Sequence, residues 1–312
     1  MNAFKTFVAV LGLGTMLTSA AWAADAESCK KVRLSDVGWT DVQATTATTA
    51  VVLTALGYEP EIIQLSVPVT YASLKNNDLD VFLGNWMPSQ TNDIKDYVAD
   101  GSVETVATNL EGAGYGMVEP TYMAEAGVKT LTDLAKPEVK EKLGGKLYGI
   151  EAGNDGNRII LDMINKPDSP LAGYELVESS EAGMLTQAEA SMKDNQWIVF
   201  LGWTPHPVMG EMKISYLEGM GDSGFGAATV HTNVRKGYLT ECPNVGTLIK
   251  NLKFTLPMEN VMMDGILKGG DASTVAKDWL KANPDAVTPW LQGVTTFDGG
   301  DAAAAVKAAL EG

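Results

Sequence analysis

A short apolar motif occurs twice in this chain, and each copy is followed by tryptophan and proline. Residues 81–84 read Val-Phe-Leu-Gly and lead into Asn-Trp-Met-Pro, while residues 199–202 read Val-Phe-Leu-Gly and lead into Trp-Thr-Pro. Each copy has the pattern of a buried strand that ends in glycine, after which Trp86 or Trp203 is exposed. A four-residue match can arise by chance, but a duplication would give two similar α/β lobes.

Short β-like runs alternate with helical stretches along the rest of the sequence. Residues 32–37 and 147–150 have strand patterns, and the helical stretches 42–56 and 157–165 follow them. This alternation predicts α/β layers with mostly parallel sheets. Open sheets of this kind bind ligands at the carboxyl ends of their strands, so two facing lobes would place the repeated tryptophans on opposite sides of a cleft.

The first 23 residues have the pattern of a cleaved secretory signal peptide. Lys5 precedes an apolar run at 7–16, and Ala21 and Ala23 are the small residues expected at a cleavage site. A membrane anchor is the alternative, but about 20 apolar residues are needed to span a bilayer. We therefore expect an exported protein.

Charge and composition argue against several classes of function. The chain has 39 Asp and Glu against 23 Lys and Arg, a net charge of -16, which argues against binding to nucleic acid or docking on anionic lipid. Two histidines and two cysteines leave little for a metal site, and no cofactor is expected. In an exported chain Cys29 and Cys242 favour a disulfide, and two unpaired buried thiols are the alternative.

Four aromatic residues occupy equivalent places near the ends of predicted strands. Trp39 follows the first strand, Trp86 and Trp203 follow the repeated motif, and Tyr115 lies in the glycine-rich segment 112–116. A single residue of this kind would more often pack against its own sheet. Four of them at matching positions favour a shared aromatic pocket.

An aromatic pocket of this kind has a preferred ligand. Ring faces are electronegative, so each ring attracts a cation by roughly 0.5–2 kcal/mol when water is excluded. A quaternary ammonium suits rings better than carboxylates, because it carries methyl groups and no hydrogen to donate. A stacked sugar is the alternative, but it requires many hydrogen-bond partners.

Polar residues near the aromatic positions extend the predicted pocket. Asp41 lies two residues after Trp39, where it would favour a cation, accept a hydrogen bond from a hydroxyl and repel a carboxylate; a helix N-cap is its alternative role. Asn154, in the polar segment 151–157, could hydrogen-bond the far end of a ligand. Asp155 could equally cap a helix, and the whole segment could be a turn.

Two other motifs carry less weight. Residues 219–224 fit the pattern Gly-x-Gly-x-x-Gly, but Asp222 would repel phosphate and no clear helix follows. Ser223 resembles a protease nucleophile, yet neither His206 nor His231 has an evident orienting partner. We interpret His206, which lies between two prolines, as a surface or hinge residue.

The motifs in combination resemble one family of transport proteins. The signal pattern, the opening Val-Gly-Trp-Thr-Asp at 37–41 and the segments Gly-Asn-Trp-Met-Pro, Gly-Tyr-Gly and Gly-Trp-Thr-Pro-His-Pro are similar to those of the substrate-binding proteins of quaternary-amine ABC importers. Within that family, the motifs resemble those of the choline-binding subgroup. The resemblance covers essentially the whole mature chain and implies the type II periplasmic binding protein fold of the α/β class. In that fold two α/β lobes, joined by two hinge strands, close over a ligand cleft in the periplasm.

The resemblance also implies roles for individual residues. It implies a disulfide between Cys29 and Cys242, an aromatic box for a trimethylammonium group and a pair of residues that bind a hydroxyl. The matching box positions are Trp39, Trp86, Tyr115 and Trp203, and the matching pair is Asp41 and Asn154.

Lobe boundaries and function follow from these expectations. We predict a signal peptide at 1–23, lobe I at 24–113 and 217–312, and lobe II at 114–216. The chain is expected to be a monomeric, non-catalytic receptor that binds choline or a related quaternary amine and docks on an ABC importer permease. The alternatives are a receptor of the same class for glycine betaine or proline betaine, and a secreted hydrolase that uses paired carboxylates.

Overall fold

The computed structural model describes residues 25–221 and 223–312, so the predicted signal peptide lies outside the described residues. The strands are β1 (Lys31–Asp36), β2 (Glu59–Gln64), β3 (Val81–Met87), β4 (Val103–Pro120), β5 (Lys146–Tyr148), β6 (Glu175–Val177), β7 (Phe200–Thr204), β8 (Ile214–Tyr216) and β9 (Gly226–Arg235).

Helices fill most of the connections between these strands. They are α1 (Thr40–Ala55), α2 (Val67–Lys75), α3 (Thr91–Ala99), α4 (Thr121–Glu125), α5 (Pro137–Lys142), α6 (Asp155–Ile164), α7 (Glu181–Lys193), α8 (Val208–Glu211), α9 (Tyr238–Glu241), α10 (Pro243–Asn251), α11 (Leu256–Leu267), α12 (Ala272–Ala282) and α13 (Ala302–Glu311). Within 25–221 and 223–312, no helix has both the length and the apolar character needed to cross a membrane.

The strands of the described residues join in one mixed sheet. Its order is β2-β1-β3-β9-β4-β7-β5-β6, and β8 pairs with β4. β1 is parallel to β2 and β3, and β5 is parallel to β6 and β7. All pairs made by β4 and β9 are antiparallel. The α/β alternation is confirmed, but the sheet is parallel only in its two outer parts, because two long strands run back between them.

Strand β4 joins the two parts of the sheet. Its first part pairs with β9, and its second part pairs with β7 from Gly114 onward. The glycine-rich segment 112–116 lies inside β4 and does not interrupt it. The predicted lobe boundary between 113 and 114 falls where β4 begins to pair with β7. The lobe ranges themselves stay a prediction.

The start of the described chain is fastened to its C-terminal third. Cys29 and Cys242 form a disulfide, as predicted, across a sequence separation of 213 residues. Closing a loop of this length restricts the unfolded chain, which stabilises the fold by up to about 5 kcal/mol. Nearby, the Asp25 carboxylate accepts hydrogen bonds from the backbone N–H groups of Asn244 (2.8 Å) and Val245 (2.9 Å), at the start of α10.

Helix α1 carries part of the candidate site at its N-terminus. It packs against α11 and α12, and its many threonines are mostly buried. The hydroxyls of Thr48 and Thr49 donate to carbonyls one turn earlier, to Ala44 (2.7 Å) and Thr45 (2.8 Å). These bonds within the helix let polar side chains lie in an apolar environment. The N-terminal end of this buried helix places Trp39 and Asp41 in the wall of the cavity described below.

Candidate ligand-binding site

One small cavity gathers all the residues that the sequence predicts for ligand binding. It lies among the starts of α1 and α6 and the strands β3, β4 and β7. Two lining residues, Ile150 and Asp155, were not predicted as ligand contacts. The complete lining is Trp39, Asp41, Trp86, Tyr115, Ile150, Asn154, Asp155 and Trp203. The part that these residues play in binding stays a prediction.

The tryptophans of the repeated motif are buried. Trp86 is 3% exposed and Trp203 is 4% exposed. Both lie within strands, β3 and β7, and not in loops that follow them. The expectation that each strand ends in glycine before an exposed tryptophan is therefore wrong, because the strands continue through Gly84 and Gly202 and both rings are buried.

The rings around the cavity meet at angles and do not stack face to face. The centroids of Trp86 and Tyr115 are 5.9 Å apart with an interplanar angle of 55°, and those of Tyr115 and Trp203 are 6.4 Å apart at 78°. Tyr115 and Trp203 are direct neighbours in the β4–β7 pairing. Phe225 packs edge-on against Tyr115 at 5.3 Å. This arrangement leaves ring faces free for a ligand, and Phe225 was missed because it does not follow a predicted strand.

The Asp41 carboxylate is buried in the wall of the cavity. Its Oδ2 accepts a hydrogen bond from Nε1 of Trp86 at 3.0 Å, and its Oδ1 is buried without a hydrogen-bond partner among the described residues. Burial, together with the nearby charge of Glu181, raises the pKa of Asp41 to about 7. The N-cap alternative is wrong, because Trp39 occupies that position and Asp41 is the second residue of α1.

The polar segment before α6 contributes two side chains to the cavity. Asn154 is the N-cap of α6, and its Oδ1 accepts from the backbone N–H of Asn157 (3.0 Å) and from the Tyr115 hydroxyl (3.1 Å). Asp155 is therefore not the cap; its Oδ2 is buried without a partner in the described structure, and burial raises its pKa to about 6. Asn157 does not line the cavity, because its amide bonds the backbone of Ile150.

A third carboxyl group lies directly behind the aromatic wall. Nε1 of Trp39 donates to both carboxylate oxygens of Glu151, at 3.0 and 3.1 Å. Burial raises the pKa of Glu151 to about 7. Asp41, Asp155 and Glu151 thus concentrate negative charge around a space whose lining residues carry no positive charge. Such a cavity favours a cation electrostatically.

His206 is part of the buried structure beside the cavity. It is 3% exposed, and its ring packs edge-on against Trp203 with a centroid distance of 4.8 Å. Its interpretation as a surface or hinge residue is therefore wrong. No local signal predicts this burial, because the hydrogen-bond partner Glu181 lies on α7, 25 residues earlier in the sequence.

Comparison with known proteins identifies the family. Residues 30–282 match the family described as the substrate-binding domain of ABC-type glycine betaine transport systems. The glycine betaine/carnitine transport binding protein GbuC of Listeria monocytogenes is 31% identical over 166 residues, which are 53% of this chain and 55% of that protein. The chain thus spans about half the length of this relative.

Two solved structures are more similar. An ABC-transporter choline binding protein in complex with choline is 56% identical, with a TM-score of 0.89 over 92% of this chain and 100% of that chain. Such a protein in an unliganded semi-closed conformation is also 56% identical, with a TM-score of 0.83 over 91% and 99% of the two chains. The conformation described here is thus closer to the liganded form. The chain belongs to the family of substrate-binding domains of ABC-type glycine betaine transport systems and has the type II periplasmic binding protein fold.

Proposed function

We propose that this protein captures choline in the aromatic cavity and delivers it to the permease of an ABC importer. The observation that carries the proposal is the combination, in one cavity, of four aromatic side chains with a buried carboxylate oxygen, Oδ1 of Asp41, that has no partner among the described residues. A trimethylammonium group interacts favourably with ring faces. A hydroxyl group would supply the hydrogen bond that Asp41 Oδ1 lacks.

The proposed contacts follow the shape of choline. The trimethylammonium group lies among the rings of Trp39, Trp86, Tyr115 and Trp203. The hydroxyl donates to Asp41, and the Asn154 amide nitrogen donates to the hydroxyl oxygen. Two solved relatives of 56% identity are choline-binding proteins, which supports this choice of ligand.

Glycine betaine is the second candidate, because the family description and the Listeria relative name it. Its ammonium group would suit the rings equally well. Its carboxylate, however, would enter a cavity that already holds Asp41 and Asp155. Like charges at close range are unfavourable in a water-poor site, so we rank choline first.

A titration with four quaternary amines tests this ranking. Tryptophan fluorescence, or calorimetry, is followed with choline, acetylcholine, glycine betaine and proline betaine. We expect choline to bind most tightly and glycine betaine to bind at least tenfold more weakly, because glycine betaine, unlike choline, brings a carboxylate close to Asp41. If glycine betaine binds more tightly than choline, the choline assignment is wrong.

We further propose that the protein is a non-catalytic receptor located in the periplasm after removal of residues 1–23. The family consists of binding domains of transport systems, and the binding proteins of ABC importers work outside the cytoplasm. A hydrolase that uses Asp41 and Asp155 as paired carboxylates is the rival from another class. Incubation with acetylcholine should return the ester unchanged, and its hydrolysis to choline and acetate would support the hydrolase.

The raised pKa values predict that choline binding depends on pH. Without ligand, Asp41 and Glu151 have pKa values of about 7 and Asp155 of about 6, so at pH 5.5 much of their charge is neutralised by protons. A bound cation favours the ionised carboxylates, so binding lowers these pKa values and releases protons. We expect the choline Kd to be at least tenfold higher at pH 5.5 than at pH 8.

The raised pKa values also determine whether the folded protein becomes more or less stable as pH rises. A pKa raised by folding stabilises the protein at low pH, and this stabilisation is lost as pH rises through the folded value. The ligand-free protein should therefore lose stability between about pH 4 and pH 7, and choline should raise Tm more at pH 8 than at pH 5.5. Calorimetry in two buffers with different ionisation enthalpies measures the released protons directly. A Kd that does not vary with pH, without proton release, would contradict the proposed carboxyl environment.

A further inference from the structure

A chain of buried polar contacts crosses the cleft beside the cavity, although none of its members lines the cavity. The carboxylate of Glu181, on α7, accepts hydrogen bonds from the backbone N–H of Thr40 at 2.8 Å and from the Thr40 hydroxyl. His206 Nε2 lies 3.1 Å from the same carboxylate. Thr40, Glu181 and His206 are 6%, 4% and 3% exposed. The contact joins residues 141 positions apart in the sequence, from the two predicted lobes.

The hydrogen-bond pattern assigns the proton of His206. Its Nδ1 accepts from the backbone N–H of Val208 at 3.2 Å. The ring proton of neutral His206 is therefore on Nε2, which donates to Glu181. Glu181 is the acceptor in every one of these contacts, which suits a carboxylate.

Glu181 supplies the N-terminal cap that α1 lacks in its own sequence. The N-cap residue, Trp39, makes no side-chain cap hydrogen bond. The first N–H groups of a helix require an acceptor, and a carboxylate there also interacts favourably with the helix dipole. Thr40 stands between Trp39 and Asp41, so a contact that fixes Thr40 also fixes two lining residues. At the other end of the chain of contacts, His206 packs against Trp203, which is a third residue that lines the cavity.

We propose that Glu181 is a positioning residue that fastens α1 to the opposite side of the cleft only when the cleft is closed, and thereby slows ligand release. The inference rests on the proposed function. Opening the cleft breaks the charge-assisted bonds to Thr40, so Glu181 stabilises the closed complex and not the encounter with ligand. It acts through Trp39, Asp41 and Trp203 without touching the ligand.

Stopped-flow measurement of binding and release tests this proposal with Thr40→Val and Glu181→Gln. Thr40→Val removes one hydroxyl and keeps the backbone N–H. We expect each variant to release ligand at least tenfold faster, with association rates within about twofold of wild type. Because the two residues share one interaction, the double variant should be no worse than the more impaired single variant.

The matched control is Thr49→Val, on the same helix. Thr49 is fully buried, and its hydroxyl bonds only to the carbonyl of Thr45 within α1. This variant should leave both rates unchanged. Thermal unfolding of each ligand-free variant separates a loss of fold from a loss of closure, because Thr40→Val should keep Tm within a few degrees of wild type.

The rates are measured with whichever of the four titrated amines binds the wild type most tightly. If the wild-type protein binds another amine more tightly than choline, the proposed ligand is wrong. The role of Glu181 can then still be tested, with that amine as the ligand. Unchanged release in both Thr40→Val and Glu181→Gln, or additive effects in the double variant, would overturn the role of Glu181.

Discussion

Replacing Trp203 by alanine is expected to weaken choline binding by about 100-fold. The ring lines the cavity and lies beside Tyr115, so its removal takes one wall from the ammonium group. A cation–π contact contributes roughly 0.5–2 kcal/mol, and the burial of ligand methyl groups against the ring adds about 1–2 kcal/mol. Since about 1.4 kcal/mol corresponds to a tenfold change in Kd, the combined loss is close to two orders of magnitude.

Two further variants separate lost ligand contact from lost structure. Trp203→Phe keeps an aromatic face and should retain most of the affinity. Trp279→Ala removes a partly buried tryptophan on α12, which does not line the cavity, and should leave the choline Kd unchanged. Affinities are measured by calorimetry at pH 8. A loss below tenfold in Trp203→Ala would show that this ring is not part of a cation-binding box.

Replacing Asp41 by asparagine should change both affinity and ligand preference. Asparagine keeps an oxygen that can accept from Trp86 Nε1, but it removes the negative charge beside the proposed ammonium and hydroxyl groups. Removing one partner of a buried charge pair costs roughly 2–5 kcal/mol, so we expect choline affinity to fall by about 100-fold. The affinity for glycine betaine should fall much less in this variant, because the betaine carboxylate no longer faces a charged Asp41.

The matched control is Asp264→Asn, which makes the same change of net charge on a partly exposed residue. Asp264, on α11, forms an i,i+4 ion pair with Lys268, which directly follows the helix. This control should leave both affinities unchanged. The ratio of the choline and betaine Kd values is the decisive quantity, and an unchanged ratio in Asp41→Asn would contradict the role of this carboxylate in ligand selection.

The sequence predicts the site residues best where a short local pattern itself contains the residue that lines the cavity. Trp86 and Trp203 could be paired because the same apolar motif precedes both, and Tyr115 because glycines surround it. Asp41 could be predicted because it follows Trp39 at the start of a helix. In these cases the backbone element carries the side chain to the cavity, so neighbours in the sequence are enough to indicate the site.

The remaining features depend on contacts between distant segments. The glycine-rich segment 112–116 does not interrupt β4, because β9 pairs with the strand up to Tyr115 and β7 pairs with it from Gly114 onward. Asp155 and Glu151 lie in a polar stretch that has the composition of an ordinary turn. Glu181 and His206 carry no local signal, since Glu181 meets Thr40 across a separation of 141 residues and His206 across a separation of 25.

The geometry of the complex tests the central claim most directly. In a crystal structure of the protein with choline, we expect the ammonium nitrogen within about 6 Å of the ring centroids of the box, as cation–π contacts require. The hydroxyl oxygen should lie within hydrogen-bond distance of Asp41 Oδ1. Choline bound elsewhere, or bound in the cavity with its ammonium group away from the rings, would contradict this account.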